Sequence, residues 1–231
     1  MKKMFGEWTR YSEELRHAAE VALQQSLRVH PGERVLIVTN PAEEVSAISF
    51  ALHDAAAAAG AVPVLVFQQP KTQLDFCEEE VVAALGTAPE VFISLRAARL
   101  GKDRKAIQNP YKIGKRQLDS SFHYLLYGEK KIRGFWSPRV TIDSFIRAVP
   151  VDYGRLRRCC AEVKAVLDEA VSVRVTNGNG TDVSFSVAGR TAFADDGDFS
   201  FPGTGGNLPA GEAFVSPAVG TAEGVIVFDG S

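Results

Sequence analysis

The residues best suited to chemistry lie near the C-terminus, in Gly206-Asn207-Leu208-Pro209-Ala210-Gly211-Glu212-Ala213-Phe214. Glu212 follows a Gly/Pro-rich turn and precedes an apolar segment, so stiff backbone holds its carboxylate at the rim of a sheet. Gly205, Gly206 and Gly211 allow close approach, and a carboxylate taken even half out of water needs a cation or several donors. Read from residue types alone, Glu212 is either a metal ligand or a surface glutamate in a loop.

Other chemical groups are scattered. The histidines His17, His30, His53 and His123 all lie in the first two-thirds of the chain, and no two have metal-ligand spacing. His123, after Ser120-Ser121-Phe122, is the one placed to line a cleft. Asp195-Asp196-Gly197-Asp198 lacks the twelfth-position acid of a calcium-binding loop and reads as a solvated turn. The first strand runs into Thr39-Asn40-Pro41-Ala42-Glu43-Glu44 with no G-x-G-x-x-G or G-K-[ST], which argues against a dinucleotide or ATP site and leaves no cofactor-binding residue to name. No G-x-S-x-G elbow is present. No catalytic side chain can be assigned from spacing.

The run around Glu212 continues through Val215-Ser216-Pro217 to Gly220-Thr221-Ala222-Glu223-Gly224-Val225-Ile226-Val227-Phe228-Asp229-Gly230-Ser231. This resembles the N-x-P-x-x-E-x-F-x-x-P … G-x-x-x-F-D-G stretch of the aminopeptidase T family of metallopeptidases. Val149-Pro150-Val151-Asp152-Tyr153 and Val173-Arg174-Val175-Thr176-Asn177 resemble that family too, whereas the segment before about residue 148 does so only generically. The resemblance implies a metallo-aminopeptidase acting on N-terminal peptide bonds, with Glu212 as one ligand of a zinc or cobalt pair. It also implies further ligands, a glutamate, two histidines and an aspartate, downstream of Phe-Asp-Gly, so the chain alone is expected to be an incomplete or inactive enzyme. Two rival readings remain. Proteins of similar build use a mononuclear iron site for ring-opening dioxygenation of hydroxypyridines, and a non-catalytic truncated fragment would share the same residues.

Composition narrows the partners. A chain of 231 residues with 45% hydrophobic and 23% charged residues is ordinary for a globular protein, and a net charge of -2 offers no pull toward nucleic acid or an anionic membrane. The expected partners are a small peptide or small molecule and a second copy of the chain as a homodimer. Cys77, Cys159 and Cys160 have no framework spacing, which suits a reducing cytoplasm. No apolar run reaches the roughly 20 residues of a membrane span.

The elements that must position these groups follow from periodicity. Trp8 to Val29 has helical spacing; Arg34–Thr39 is an apolar strand; Ala42–Ala59, between Pro41 and Gly60, is a helix; Val62–Phe67 is a strand, Leu74–Leu85 a helix and Glu90–Leu95 a strand. This β-α-β-α-β order predicts an α/β fold with a Rossmann-like parallel sheet. Residues Arg96 to Arg116 form a basic irregular tract, either a solvated loop or one that faces an anion or a dimer partner. Short helices over Asp119–Tyr127 and Thr141–Val149, a strand at Arg133–Trp136 and a helix over Asp152–Ala170 follow, the last with Leu156, Val163, Val166 and Leu167 inside. From residue 171 the period becomes two, and Asn177-Gly178-Asn179-Gly180 marks a hairpin turn. The expectation is therefore an α/β domain over 1–148 and, over 149–231, a helix plus an incomplete β-rich (α+β) metal-site domain whose last strand is uncovered.

Overall fold

The computed structural model describes residues 11–228. Its contacts divide the chain into two compact units, one running to Tyr153 and taking back Gly197–Ala210, the other comprising Gly154–Asp196 and the residues from Gly211 on.

The first unit opens with helix α1 (Glu13–Val21), capped by Ser12, whose side chain accepts a hydrogen bond from the Leu15 backbone amide; a wider helical turn carries it on through Ala22–Ser26. The expected start at Trp8 lies outside the described residues. Strand β1 (Arg34–Thr39), helix α2 (Glu43–Ala58) and strand β2 (Val62–Phe67) fall where apolar runs and the flanking Pro41 and Gly60 put them. Helix α3 (Glu79–Gly86) starts five residues later than Leu74. The cause is local: Asp75 accepts hydrogen bonds from the Thr72 amide at 2.7 Å and hydroxyl at 2.6 Å, folding residues 72–75 into a turn. Strand β3 (Val91–Arg96) is followed by helix α4 (Arg104–Gln108) and a small hairpin of β4 (Tyr111–Ile113) and β5 (Arg116–Leu118), so the basic tract is structured. Helix α5 (Ser121–His123) widens into a turn over Tyr124–Gly128, and β6 (Arg133–Pro138) leads into α6 (Ile142–Ala148), which carries the expected Thr141 cap as a capping box.

With β10 (Gly205–Asn207), these strands form a five-stranded parallel sheet in the order β10-β6-β3-β1-β2. This is the predicted α/β architecture, with helices on both faces. Alternation along the strands decides which side chain goes where. Val35 and Ile37 of β1, with Val91, Ile93 and Leu95 of β3, join the core made with α1, α2 and α6; Leu36, Val38 and Phe92 join the opposite one with Val81, Leu85 and Leu126. Fully buried Ile37, Ile93 and Phe135 each stabilise the unit by about 1.5–3 kcal/mol.

In the second unit, α7 (Tyr153–Glu169) precedes a hairpin of β7 (Ser172–Thr176) and β8 (Asp182–Ser186), to which β12 (Glu223–Val225) adds in the order β12-β8-β7. The turn is held by the Asn177 side chain, which accepts hydrogen bonds from the Asn179 and Thr181 amides. Strands β9 (Phe193–Asp195) and β11 (Glu212–Phe214) form a separate antiparallel pair. The face assigned to α7 is only half right. Leu156 and Leu167 are half-buried, but Val163 and Val166 are 50% and 69% exposed, and Val171, Phe193 and Phe214 of the same unit are exposed as well. The helical period was readable; which flank of it would be covered was not, because little of this unit packs against α7.

Candidate functional site

The ends of β1, β2 and β3 carry a buried polar framework that fixes the loop leaving β3. Asn40, fully buried after β1, donates to the Gln68 carbonyl at 2.7 Å and accepts from the Ala97 amide at 2.9 Å. Gln68, buried after β2, donates to the Leu100 carbonyl at 2.8 Å, and its oxygen accepts from the Glu78 amide. Lys102 and Cys77 exchange further backbone bonds across the loop, Lys102 donating to Asp75 and accepting from Cys77. Gly101 is required there: its φ is +96°, and a Cβ would lie 2.5 Å from the Cys77 nitrogen. The loop is thus tied to the strand ends by buried hydrogen bonds, at the carboxyl ends of parallel strands where open α/β sheets bind ligands.

Beside this loop lies a cavity of about 550 Å³, within the usual range for small-molecule sites. One face of β3 supplies its floor. Phe92, Ser94 and Arg96 stand at alternate positions and all line the cavity, and Trp136 lines it from the strand position paired with Ser94. Phe122 sits between Phe92 and Trp136, with ring centroids 5.1 Å from the first and 5.5 Å edge-on from the second. Arg99 and Lys102 from the loop and His123 from α5 also line it, so that with Arg96 the lining holds three Arg/Lys cations and no carboxylate.

Two of these groups are buried without partners. The Ser94 hydroxyl, on a residue 1% exposed, and the Arg96 Nε meet no hydrogen-bond partner, and no ion pair holds Arg96 among the described residues. Such a buried polar atom costs about 1–3 kcal/mol. Nearby acids are committed elsewhere: Asp75 to Thr72, Asp103 to Ser121 and the Ala106 amide. Burial, with some help from the Arg99 charge, pulls the Arg96 guanidinium down to about 10. The contrast with Arg133, 3% exposed, is informative. Its guanidinium donates to both Glu33 oxygens at 2.9 and 2.6 Å and to the Leu27 carbonyl at 2.9 Å. Arg133 is a structural cation; Arg96 has the same chemistry and nothing to bind. The His123 ring, pressed against Phe122 with centroids 5.3 Å apart, is held below the ordinary imidazole value by desolvation, partly offset by the Asp119 charge.

Glu212 begins β11, where its residue is exposed and its register partner is Asp195. The preceding Gly211 has φ +128°, a Cβ there would lie 2.9 Å from Leu156 Cδ1, and its amide donates to the Asp195 carbonyl at 2.8 Å. The stiff backbone expected around Glu212 is therefore present, and the conspicuous run from Gly206 divides between β10 in the first unit and β11 in the second. A metal needs more than this. Among the described residues no three His, Cys, Asp or Glu side chains come together, so they do not by themselves fit a bound iron or zinc. His17 is exposed on α1, His30 is exposed, and His53 is buried beside Asp54 at 3.4 Å. Asp195, Asp196 and Asp198 are half-buried rather than solvated, with Asp198 accepting from the Ser200 hydroxyl at 2.6 Å. The three cysteines are free thiols, and no described helix is long and apolar enough to cross a membrane. The Phe-Asp-Gly end beyond Phe228 lies outside the described residues.

A model of the family NicX, 2,5-dihydroxypyridine 5,6-dioxygenase, matches residues 141–231. Comparison with curated proteins returns no match. Among solved structures, the chain is similar to 2,5-dihydroxypyridine dioxygenase from Pseudomonas putida KT2440, with a TM-score of 0.63 and 17% identity over 93% of this chain and 59% of that one. It is also similar to wild-type AmpT from Thermus thermophilus, with a TM-score of 0.51 and 17% identity over 95% of this chain and 64% of that one. The chain thus spans under two-thirds of either protein's length, and at this identity both likenesses speak to the fold. The fold-level side of the aminopeptidase T resemblance stands. The activity drawn from it does not: the family match over the very residues that carried the resemblance is to a ring-cleaving dioxygenase, which overturns the aminopeptidase, peptidase and zinc-hydrolase reading. A divalent metal remains the class of cofactor in keeping with these comparisons.

Proposed function

We propose that this chain belongs to a ring-cleaving dioxygenase of the hydroxypyridine type, with iron as the metal and Glu212 as one of its ligands. The observation that carries the reading is the family match over residues 141–231, which includes Glu212 and the turn that holds it. In the same reading, residues from 149 on form the metal-carrying domain, and the substrate is a small planar heterocycle rather than a nucleic acid or a membrane surface, in keeping with the net charge of -2. Three free thiols agree with a cytoplasmic location, and exposed Val163, Val166, Phe193 and Phe214 agree with a second copy as partner. Because the described residues do not complete a metal site, Glu212 contributes a position and a charge and no more.

The test is oxygen uptake by the purified protein reconstituted anaerobically with ferrous iron, with 2,5-dihydroxypyridine as substrate. Uptake that follows bound iron and falls at least tenfold in Glu212→Ala is the expected result. Stoichiometric iron without substrate-dependent uptake, or cleavage of leucine p-nitroanilide with zinc or cobalt, would refute the proposal.

A further inference from the structure

The cavity beside β3 is lined wholly by residues outside the family match, so its ligand is an independent question. Its two buried polar atoms without partners are both competent donors: the Ser94 hydroxyl and the Arg96 Nε, two residues apart on one strand face and therefore aimed to the same side. Arg99 and Lys102 add positive charge at the loop, and no acid stands in the lining, although Lys102 lies over the Phe76 ring and its charge is partly met by Asp75. The opposite character comes from Phe92, Phe122 and Trp136, whose tilted and edge-on packing presents a continuous apolar wall. A cation cluster alone would suit any oxyanion. Flanked by three aromatic side chains, it suits an anion attached to a flat ring.

We infer that this cavity binds a planar aromatic carboxylate, with the acid group on Arg96 and Ser94 and the ring against Phe92, Phe122 and Trp136. A planar guanidinium fork matches a carboxylate in two parallel hydrogen bonds, and the serine hydroxyl supplies a third donor to the same group. The framework of Asn40, Gln68 and Gly101 keeps the loop cations in place before the ligand arrives, which limits the ordering cost of binding. The inference does not rest on the proposed dioxygenase activity. The substrate named by the family match, 2,5-dihydroxypyridine, carries no carboxylate, so the two claims fail or succeed separately.

Trp136 provides the readout. The chain has two tryptophans, and in Trp8→Phe the remaining one lines the cavity. Benzoate, its neutral isostere benzamide and inorganic phosphate are titrated against this protein by fluorescence, with calorimetry as a second measure. Benzoate is expected to bind at least tenfold tighter than benzamide, to weaken as salt rises, and to outcompete phosphate. Arg96→Gln should erase the preference for benzoate over benzamide, and Ser94→Ala should reduce it several-fold. The comparison of benzoate with benzamide needs no variant, so a misfolded Arg96→Gln leaves the test intact. Equal binding of benzoate and benzamide, no response of Trp136 to millimolar benzoate, or phosphate binding tighter than benzoate would each overturn the inference.

Discussion

Replacing Arg96 with methionine should make the ligand-free protein more stable, which is unusual for a substitution on an inner strand. The guanidinium is held at about 10 by burial next to another cation. At about 1.4 kcal/mol for each tenfold change in proton affinity, that corresponds to roughly 3 kcal/mol, an upper bound because the residue is only partly buried. Methionine fills similar space without a charge to desolvate, and even a buried ion pair replaced by apolar residues of like volume is often neutral or more stable by about 1–4 kcal/mol. A gain of about 1–2 kcal/mol at pH 7 is the expected outcome, read from urea unfolding with unchanged slope. The sign with pH is fixed as well. A base whose folded-state pKa is depressed penalises folding fully below about 10, and the penalty fades between there and the ordinary guanidinium value, so the advantage of Arg96→Met should be flat from pH 6 to 9. Saturating benzoate should stabilise the wild type and not the variant, closing the gap. A loss of more than 1 kcal/mol in ligand-free Arg96→Met would refute the reasoning, because it would mean that Arg96 is satisfied within the fold.

The structural arginine should behave in the opposite way: Arg133→Met leaves half-buried Glu33 without its cation and is expected to lose about 2–4 kcal/mol by the same unfolding assay, below the roughly 3–5 kcal/mol of a fully buried pair. Burial pushes the Glu33 carboxyl up, but bonds from Arg133 and the His30 amide bring it below the ordinary carboxylate range. Its contribution should therefore be complete above the unfolded carboxylate pKa and vanish as pH falls through the lower folded value, and a Glu33→Gln protein without that acid limb in its stability profile checks this. Gly211→Ala, at φ +128° and 2.9 Å from Leu156, should cost about 1–3 kcal/mol and raise hydrogen exchange of β9 and β11; unchanged exchange there would contradict the packing. Among the thiols, exposed Cys159 should react with a disulfide reagent at pH 8 well before Cys77, whose thiol is pushed up to about 11 by burial and by the Asp103 charge; equal rates would contradict that environment.

Elements specified by neighbouring residues were legible in the sequence. Strands β1 and β2 begin and end where the apolar runs do, and α6 begins at Thr141, because a buried run and a capping residue are local signals. Elements decided by distant contacts were not. Leu74, Cys77, Val81 and Leu85 have helical spacing, yet Phe76 bridges to Lys102 and Leu74 stays 73% exposed, so α3 waits until Glu79. On α7 the period is right and the covered face is not, since Val163 and Val166 stay largely exposed. The cavity did leave a signal that periodicity alone passed over. In Val91-Phe92-Ile93-Ser94-Leu95-Arg96 one alternate set is purely apolar and the other runs from apolar to hydroxyl to cation toward the carboxyl end, which marks one face of a buried strand emerging into a polar pocket.

The two functional claims draw on different stretches of chain, and that separation constrains both. The family match begins at residue 141, whereas every side chain that lines the cavity comes before it. Likeness to the Pseudomonas putida dioxygenase over 93% of this chain at 17% identity carries the sheet across but not the identities of Ser94, Arg96 or Trp136. The cavity's chemistry is therefore this chain's own, and it asks for an acid group that 2,5-dihydroxypyridine lacks. If benzoate occupies the cavity and dihydroxypyridine still drives oxygen uptake, the first unit serves a ligand other than that substrate. If a ring bearing a carboxylate also drives oxygen uptake, Arg96 becomes the residue that sets the preference for it, and Arg96→Gln should raise KM for that acid while leaving turnover on dihydroxypyridine unchanged.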